Sequence, residues 1–169
     1  MKILIPLDGS EFAEQILEPA ARFAQRCNAE VHLIEVVHGS PAATWSRYNT
    51  AEPHGMGGGL AVGLTSPSEA GVPAESGVQA VEREKQGAAD YLSHVATRHF
   101  PGGAQHRVVT GDDPAAEIIK YVRAEGIDLI AIATHGRTGL ARLMMGSVAG
   151  KLLKARVAPL MMVHPDGLD

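Results

Sequence analysis

One stretch limits the possible folds of this chain more than any other. Ile127-Asp128-Leu129-Ile130-Ala131-Ile132-Ala133 is almost unbroken apolar sequence. A strand with one face in water alternates apolar and polar side chains. One that does not alternate must be covered on both faces, which in a short chain means helices packed on either side of a parallel sheet. This run is read as the fourth strand and as the centre of the sheet.

The rest of the chain agrees with that reading. Ile3-Leu4-Ile5 is a short first strand expected to end at Pro6, and Asp8-Gly9-Ser10 supplies turn and capping chemistry for a helix. From Phe12, apolar residues recur at helical spacing through Ile16, Leu17, Ala20, Phe23, Ala24 and Cys27, with Pro19 expected to bend the helix. Cys27, the single cysteine, is read as a core residue and excludes an intrachain disulfide. Val31–Val37 reads as the second strand.

Residues 38–77 hold no periodicity, and Gly and Pro recur there, so they are read as an insertion or lid, partly disordered without ligand, with His54–Gly59 near its tip. Helical spacing returns through about residue 98. A third strand is expected at Arg107–Thr110, and Asp113-Pro114 then caps and opens another helix. Ser147 to Leu153 reads as a short amphipathic helix and Pro159–Val163 as the fifth strand. Strands alternating with helices require crossover connections, so the expected fold is a single α/β domain over residues 1–169, a doubly wound parallel sheet of five strands with helices on both faces.

The 15 basic and 19 acidic side chains of the 169 residues leave a formal charge of -4. No broad positive field exists to hold nucleic acid or an anionic membrane, so neither is expected as a partner, and any phosphate site must be local. No apolar run is long enough to span a bilayer, and the first residues do not read as a signal peptide, so a cytoplasmic location is expected.

In an open parallel sheet, ligands settle beyond the carboxyl ends of the strands. Two segments fall there: Pro6-Leu7-Asp8-Gly9-Ser10, and Thr134-His135-Gly136-Arg137-Thr138-Gly139 continuing to Gly146-Ser147. Glycines at 136, 139 and 146 would let backbone amides approach a phosphate, and Ser147 adds a hydroxyl where a helix amino end favours negative charge. Equally, the glycines would make a tight turn and Ser147 a cap. Asp8 would cap the first helix or accept hydrogen bonds from a ribose or an adenine amine. Arg137 and Arg142 would neutralise a polyphosphate or remain solvated. His135 lacks an acidic or nucleophilic partner and is read as structural; the other histidines show no metal-ligand spacing. The Gly-x-x-x-x-Gly-Lys-Ser/Thr phosphate loop is absent, because Leu152 follows Gly150-Lys151.

Taken together, Ile5-Pro6-Leu7-Asp8-Gly9-Ser10, Gly111-Asp112-Asp113-Pro114, and Ala133-Thr134-His135-Gly136-Arg137-Thr138-Gly139-Leu140 through Gly146-Ser147-Val148-Ala149 resemble the universal stress protein family over nearly the whole chain outside residues 38–77. The nucleotide-binding branch carries Gly, two residues, Gly, nine residues, Gly, then Ser or Thr. Gly136, nine residues and Gly146-Ser147 match, while Ala133 stands at the first glycine and would narrow the approach to ribose or phosphate.

The resemblance implies sheet order 3-2-1-4-5. It also implies Asp8 at the ribose or adenine, the backbone near Val36 along the adenine, and Gly136, Gly139, Gly146 and Ser147 at the phosphates. Three functions follow as expectations: an ATP-binding (or AMP- or ADP-binding) regulatory protein of the stress response, with Mg²⁺ as a possible companion and an unknown protein partner; a slow ATPase or adenylyl-transfer enzyme; or a dimeric interaction module that does not bind ATP. A homodimer through the last strand is also implied.

Overall fold

The computed structural model describes residues 1–39, 77–134 and 146–163. The insertion expected at 38–77, including its tip, lies almost wholly outside the described residues, as do His135, Gly136, Arg137, Gly139 and Arg142. Five strands, β1 (Lys2–Leu7), β2 (Glu30–Val37), β3 (Gln105–Thr110), β4 (Leu129–Ala133) and β5 (Leu160–Val163), form one parallel sheet in the order β3-β2-β1-β4-β5. The helices are α1 (Glu11–Glu14), α2 (Leu17–Cys27), α3 (Gly77–His99), α4 (Pro114–Glu125) and α5 (Ser147–Ala155).

The centre of the sheet is β1 and not β4, which lies between β1 and β5. Any interior strand of such a sheet is covered on both faces, so continuous apolar sequence identifies an interior strand without saying which one. Nor does β1 end at Pro6, for Pro6 pairs with Ile34 and Leu7 with Glu35. Pairing between β1 and β4 is confined to Ile3 and Leu4, so Pro6 sits where the strand has already parted from that neighbour.

Side-chain alternation splits the interior in two. Ile3, Ile5, Leu7, Val31 and Leu33 pack with Leu17, Ala20, Leu92 and Val95 of α2 and α3 on one face. On the other, Leu4, Ile34, Val36 and Ile130 pack with Ile118, Val122 and Leu152 of α4 and α5.

Around Pro19 the expected bend is a complete break. Gln15 and Ile16 donate to residues three back, Phe12 and Ala13, before α2 starts at Leu17. The proline ring collides with the carbonyl four residues before it, which is that of Gln15, so the helix restarts there.

Cys27 is exposed, against its reading as core. The buried stripe of α2 is Leu17, Ala20 and Ala24, whereas Phe23 and Cys27, the last residue of the helix, are exposed. No helix among the described residues is long and apolar enough to cross a membrane.

Candidate functional site

A cavity of ≈ 230 Å³ opens at the carboxyl end of the sheet, on the α4 and α5 side. Its enclosed walls are the aliphatic side chains of Ile34 and Val36 from β2, Ile118 from α4 and Ile132 from β4. Pro6 and Ala133 line it at the ends of β1 and β4. Asp8, Gly146 and Ser147 line it too, and of these Asp8 and Ser147 are exposed. Six positions singled out in the sequence, Pro6, Asp8, Val36, Ala133, Gly146 and Ser147, are therefore brought into one cavity by three strand ends and a helix start. Gly136, Arg137 and Gly139 belong to residues 135–145, outside the described residues.

The turn after β1 shows how local sequence aims Asp8. Asp8 Oδ1 accepts from the Ser10 amide at 3.1 Å and from the Ser10 hydroxyl at 2.6 Å. Ser10 Oγ in turn accepts from the Ala13 amide at 3.1 Å as the cap of α1. Gly9 between them has φ +74, a left-handed geometry that a side chain would strain. Asp8 is thus held at the cavity by a hydrogen-bonded turn, and the cap of α1 is Ser10, not Asp8.

Two helix amino ends border the cavity, and they differ chemically. α4 is closed by its own cap: Asp113 Oδ1 accepts from the amides of Ala115 and Ala116 at 3.1 and 3.4 Å, and Pro114 follows as the sequence foretold. Lys151 of α5 donates to Asp113 Oδ2 at 2.8 Å. That hydrogen bond first, with help from the two amides and the Lys151 charge, holds the Asp113 carboxyl below the usual carboxylate range.

α5 begins at Ser147 after Gly146, with no side-chain cap bond and no acidic residue in its first turn. Its first amides and the positive end of its dipole therefore face the cavity edge without an anionic side chain of their own. Such an arrangement can take an apolar, flat group inside, hydrogen-bond a polar group at Asp8, and receive an anion at Ser147.

The Asp113–Lys151 bridge spans 38 residues and has no local signal in the sequence. Among the described residues no group of three or more His, Cys, Asp or Glu side chains is placed to hold a metal ion. On the opposite face of the sheet, near the same end, burial pushes the Tyr91 phenol of α3 up, and the carboxylates of Glu14, Glu35 and Asp8 push it further.

The universal stress protein family model matches residues 1–164. The universal stress protein MJ0531 of Methanocaldococcus jannaschii is 29% identical over 162 residues, 96% of this chain and 81% of that protein. Among solved structures, MJ0577 of the same organism superposes with a TM-score of 0.66 at 22% identity, covering 99% of this chain and 97% of that one. A universal stress protein of Archaeoglobus fulgidus, solved in complex with dAMP, superposes with a TM-score of 0.52 at 18% identity over 96% of each chain. Identities this low show likeness of fold.

Proposed function

Because the chain belongs to the universal stress protein family, we propose that it binds an adenine nucleotide, ATP or its mono- and diphosphate, in the cavity at the carboxyl ends of β1 and β4. The observation that carries this reading is the meeting of Asp8, Val36, Gly146 and Ser147 in one cavity with an aliphatic interior and an uncapped helix amino end at its rim. The base lies among Ile34, Val36, Ile118 and Ile132, where a flat heterocycle gains from leaving water. Asp8 accepts from ribose hydroxyls or the adenine amine. The amides at Gly146 and Ser147 hold phosphate, joined by Gly136, Arg137 and Gly139 from the intervening segment, and any Mg²⁺ arrives bound to the phosphates. A related fold solved with dAMP supports an adenine ligand of this size.

The role is regulatory: occupancy reshapes the segments around the cavity and thereby alters binding of a protein partner in the cytosol. A second copy of the chain pairs along β5, supported by its place at the sheet edge and by Met162, which is 44% exposed there. Sedimentation would show a dimer that a Met162→Lys change dissociates.

The decisive experiment is a titration with ATP, AMP and adenosine, together with mass identification of small molecules released on denaturing the purified protein. Gly146→Val tests the amides, because a Cβ at Gly146 meets nothing within 4 Å among the described residues while the added bulk would crowd a phosphate approaching the amides. ATP affinity unchanged in both Asp8→Ala and Gly146→Val would refute the site.

A further inference from the structure

Lys151, one turn into α5, and Asp113, the cap of α4, tie these two helices together beside the cavity. Asp113 precedes the cavity-lining Pro114, and Lys151 lies four residues, a little over one helical turn, after the cavity-lining Ser147. Side chains on a helix lean toward its amino end, so a lysine at this spacing is carried back over the turn that Ser147 begins.

Resting on the nucleotide reading above, we propose that Lys151 is a specificity-determining cation that exchanges Asp113 for the outer phosphates of the bound ligand, so that affinity rises with phosphate charge.

Three features of the geometry support the exchange. First, both side chains are largely in water, 57% exposed for Lys151 and 46% for Asp113, so parting them costs little. Second, Asp113 is not stranded by the departure, because its other oxygen keeps the amides of Ala115 and Ala116. Third, the two helix starts divide the work. The positive end of α4 is already answered by Asp113, while that of α5 has no acidic residue in its first turn.

A phosphate arriving at α5 therefore meets amides without a side-chain cap and, one turn on, an ammonium group held, among the described residues, by one exposed carboxylate. A phosphate dianion outcompetes a carboxylate monoanion for that ammonium. Adenosine, with no phosphate, has nothing to offer it. The ligand class selected is thus the phosphorylated nucleoside over the free one, and the more highly charged over the less.

The test is calorimetric titration of adenosine, AMP and ATP into wild-type protein, Lys151→Met and Asp113→Asn. Methionine suits an exposed helical position and asparagine remains a competent cap, so both variants should keep the wild-type circular dichroism spectrum. The expected result is an ATP-to-adenosine affinity ratio about tenfold lower in Lys151→Met and higher than wild type in Asp113→Asn, where the lysine has been set free.

An unchanged ratio in Lys151→Met overturns the proposal. So does an equal loss for all three ligands in both variants, which would make the bridge a brace between helices. Wild-type protein that binds none of the three ligands overturns the nucleotide reading itself and this proposal with it, a result distinct from a flat ratio among ligands that do bind.

Discussion

The imidazole of His32, fully buried on β2, places its Nδ1 2.9 Å from the hydroxyl of Tyr121 on α4. Its other nitrogen faces Glu30 Oε1 at 3.1 Å, and Gln105 of β3 donates to the same carboxylate oxygen. Two strands and a helix are thus joined by one polar chain that runs from buried His32 and Tyr121 out to exposed Glu30 and Gln105. Such a chain stabilises when every member is satisfied and penalises the loss of any one.

Tyr121→Phe tests it cleanly, since the ring that meets His32 edge-on at 5.9 Å is kept and only the hydroxyl is lost. A buried imidazole nitrogen then lacks its partner. Urea unfolding should show a loss of about 1–3 kcal/mol with unchanged m. A loss near zero would mean that water reaches His32.

That network has no local signal in the sequence. His32 sits within Val31–Val37, a run whose β-branched and aliphatic residues identify the strand, yet nothing local says that a polar member is buried. Its partner lies 89 residues away, and only the packing of α4 on β2 brings them together. Cys27 failed for a related reason. On α2 Cys27 lies two turns beyond Ala20 and close to the buried stripe in angle, but it is the last residue of the helix, and periodicity does not say where the covering layer ends.

The strand and helix succession was legible because it is local, carried by β-branched runs, Asp113-Pro114 and the Asp8–Ser10 turn. Of the site, Asp8, Gly146 and Ser147 were legible because turn and helix-start chemistry lies in consecutive residues. The Lys151–Asp113 bridge was not, being a product of tertiary packing.

Two glycines should answer oppositely to alanine. At Gly87, inside α3, a Cβ meets nothing within 4 Å among the described residues, so Gly87→Ala removes backbone freedom from the unfolded chain and should stabilise by about 0.5–1 kcal/mol. At Gly111 a Cβ would stand 2.5 Å from Glu117 Cγ, whose carboxylate also holds Lys120 at 2.7 Å. Gly111→Ala should therefore destabilise by about 1–3 kcal/mol. Adding Glu117→Ala should restore most of that loss, and failure of the double variant to recover would place the strain in the backbone instead.

At high pH the tyrosines should govern stability. Burial raises the Tyr91 phenol above its ordinary value, with Glu14, Glu35 and Asp8 adding to it, and burial likewise raises Tyr121, with Glu125 adding and Arg107 opposing. A raised phenol binds its proton more tightly in the folded chain than in the unfolded one. Its contribution is thus complete below the unfolded pKa of about 10 and falls as pH climbs past it. Tyr91→Phe should flatten the alkaline fall in denaturation midpoint, and phenolate absorbance should show tyrosine ionising later in the folded protein than after denaturation.

At low pH the sign reverses, and Asp113 is the group to follow. Its carboxyl is held below the ordinary range chiefly by the Lys151 hydrogen bond, so the folded chain favours the charged form. The contribution is present above the unfolded value of about 4 and drains away as pH falls through the lower, folded one. In that window the carboxylate loses its hold on Lys151, and α4 and α5 lose a tie at the cavity rim. Asp113→Asn cannot titrate, so its melting temperature should fall less steeply than that of the wild type as pH is lowered from 5 through about 3. Because neighbouring carboxylates remain in both proteins, the difference between the two acid limbs isolates this one residue, and parallel limbs would show that the Lys151 contact does not persist in solution.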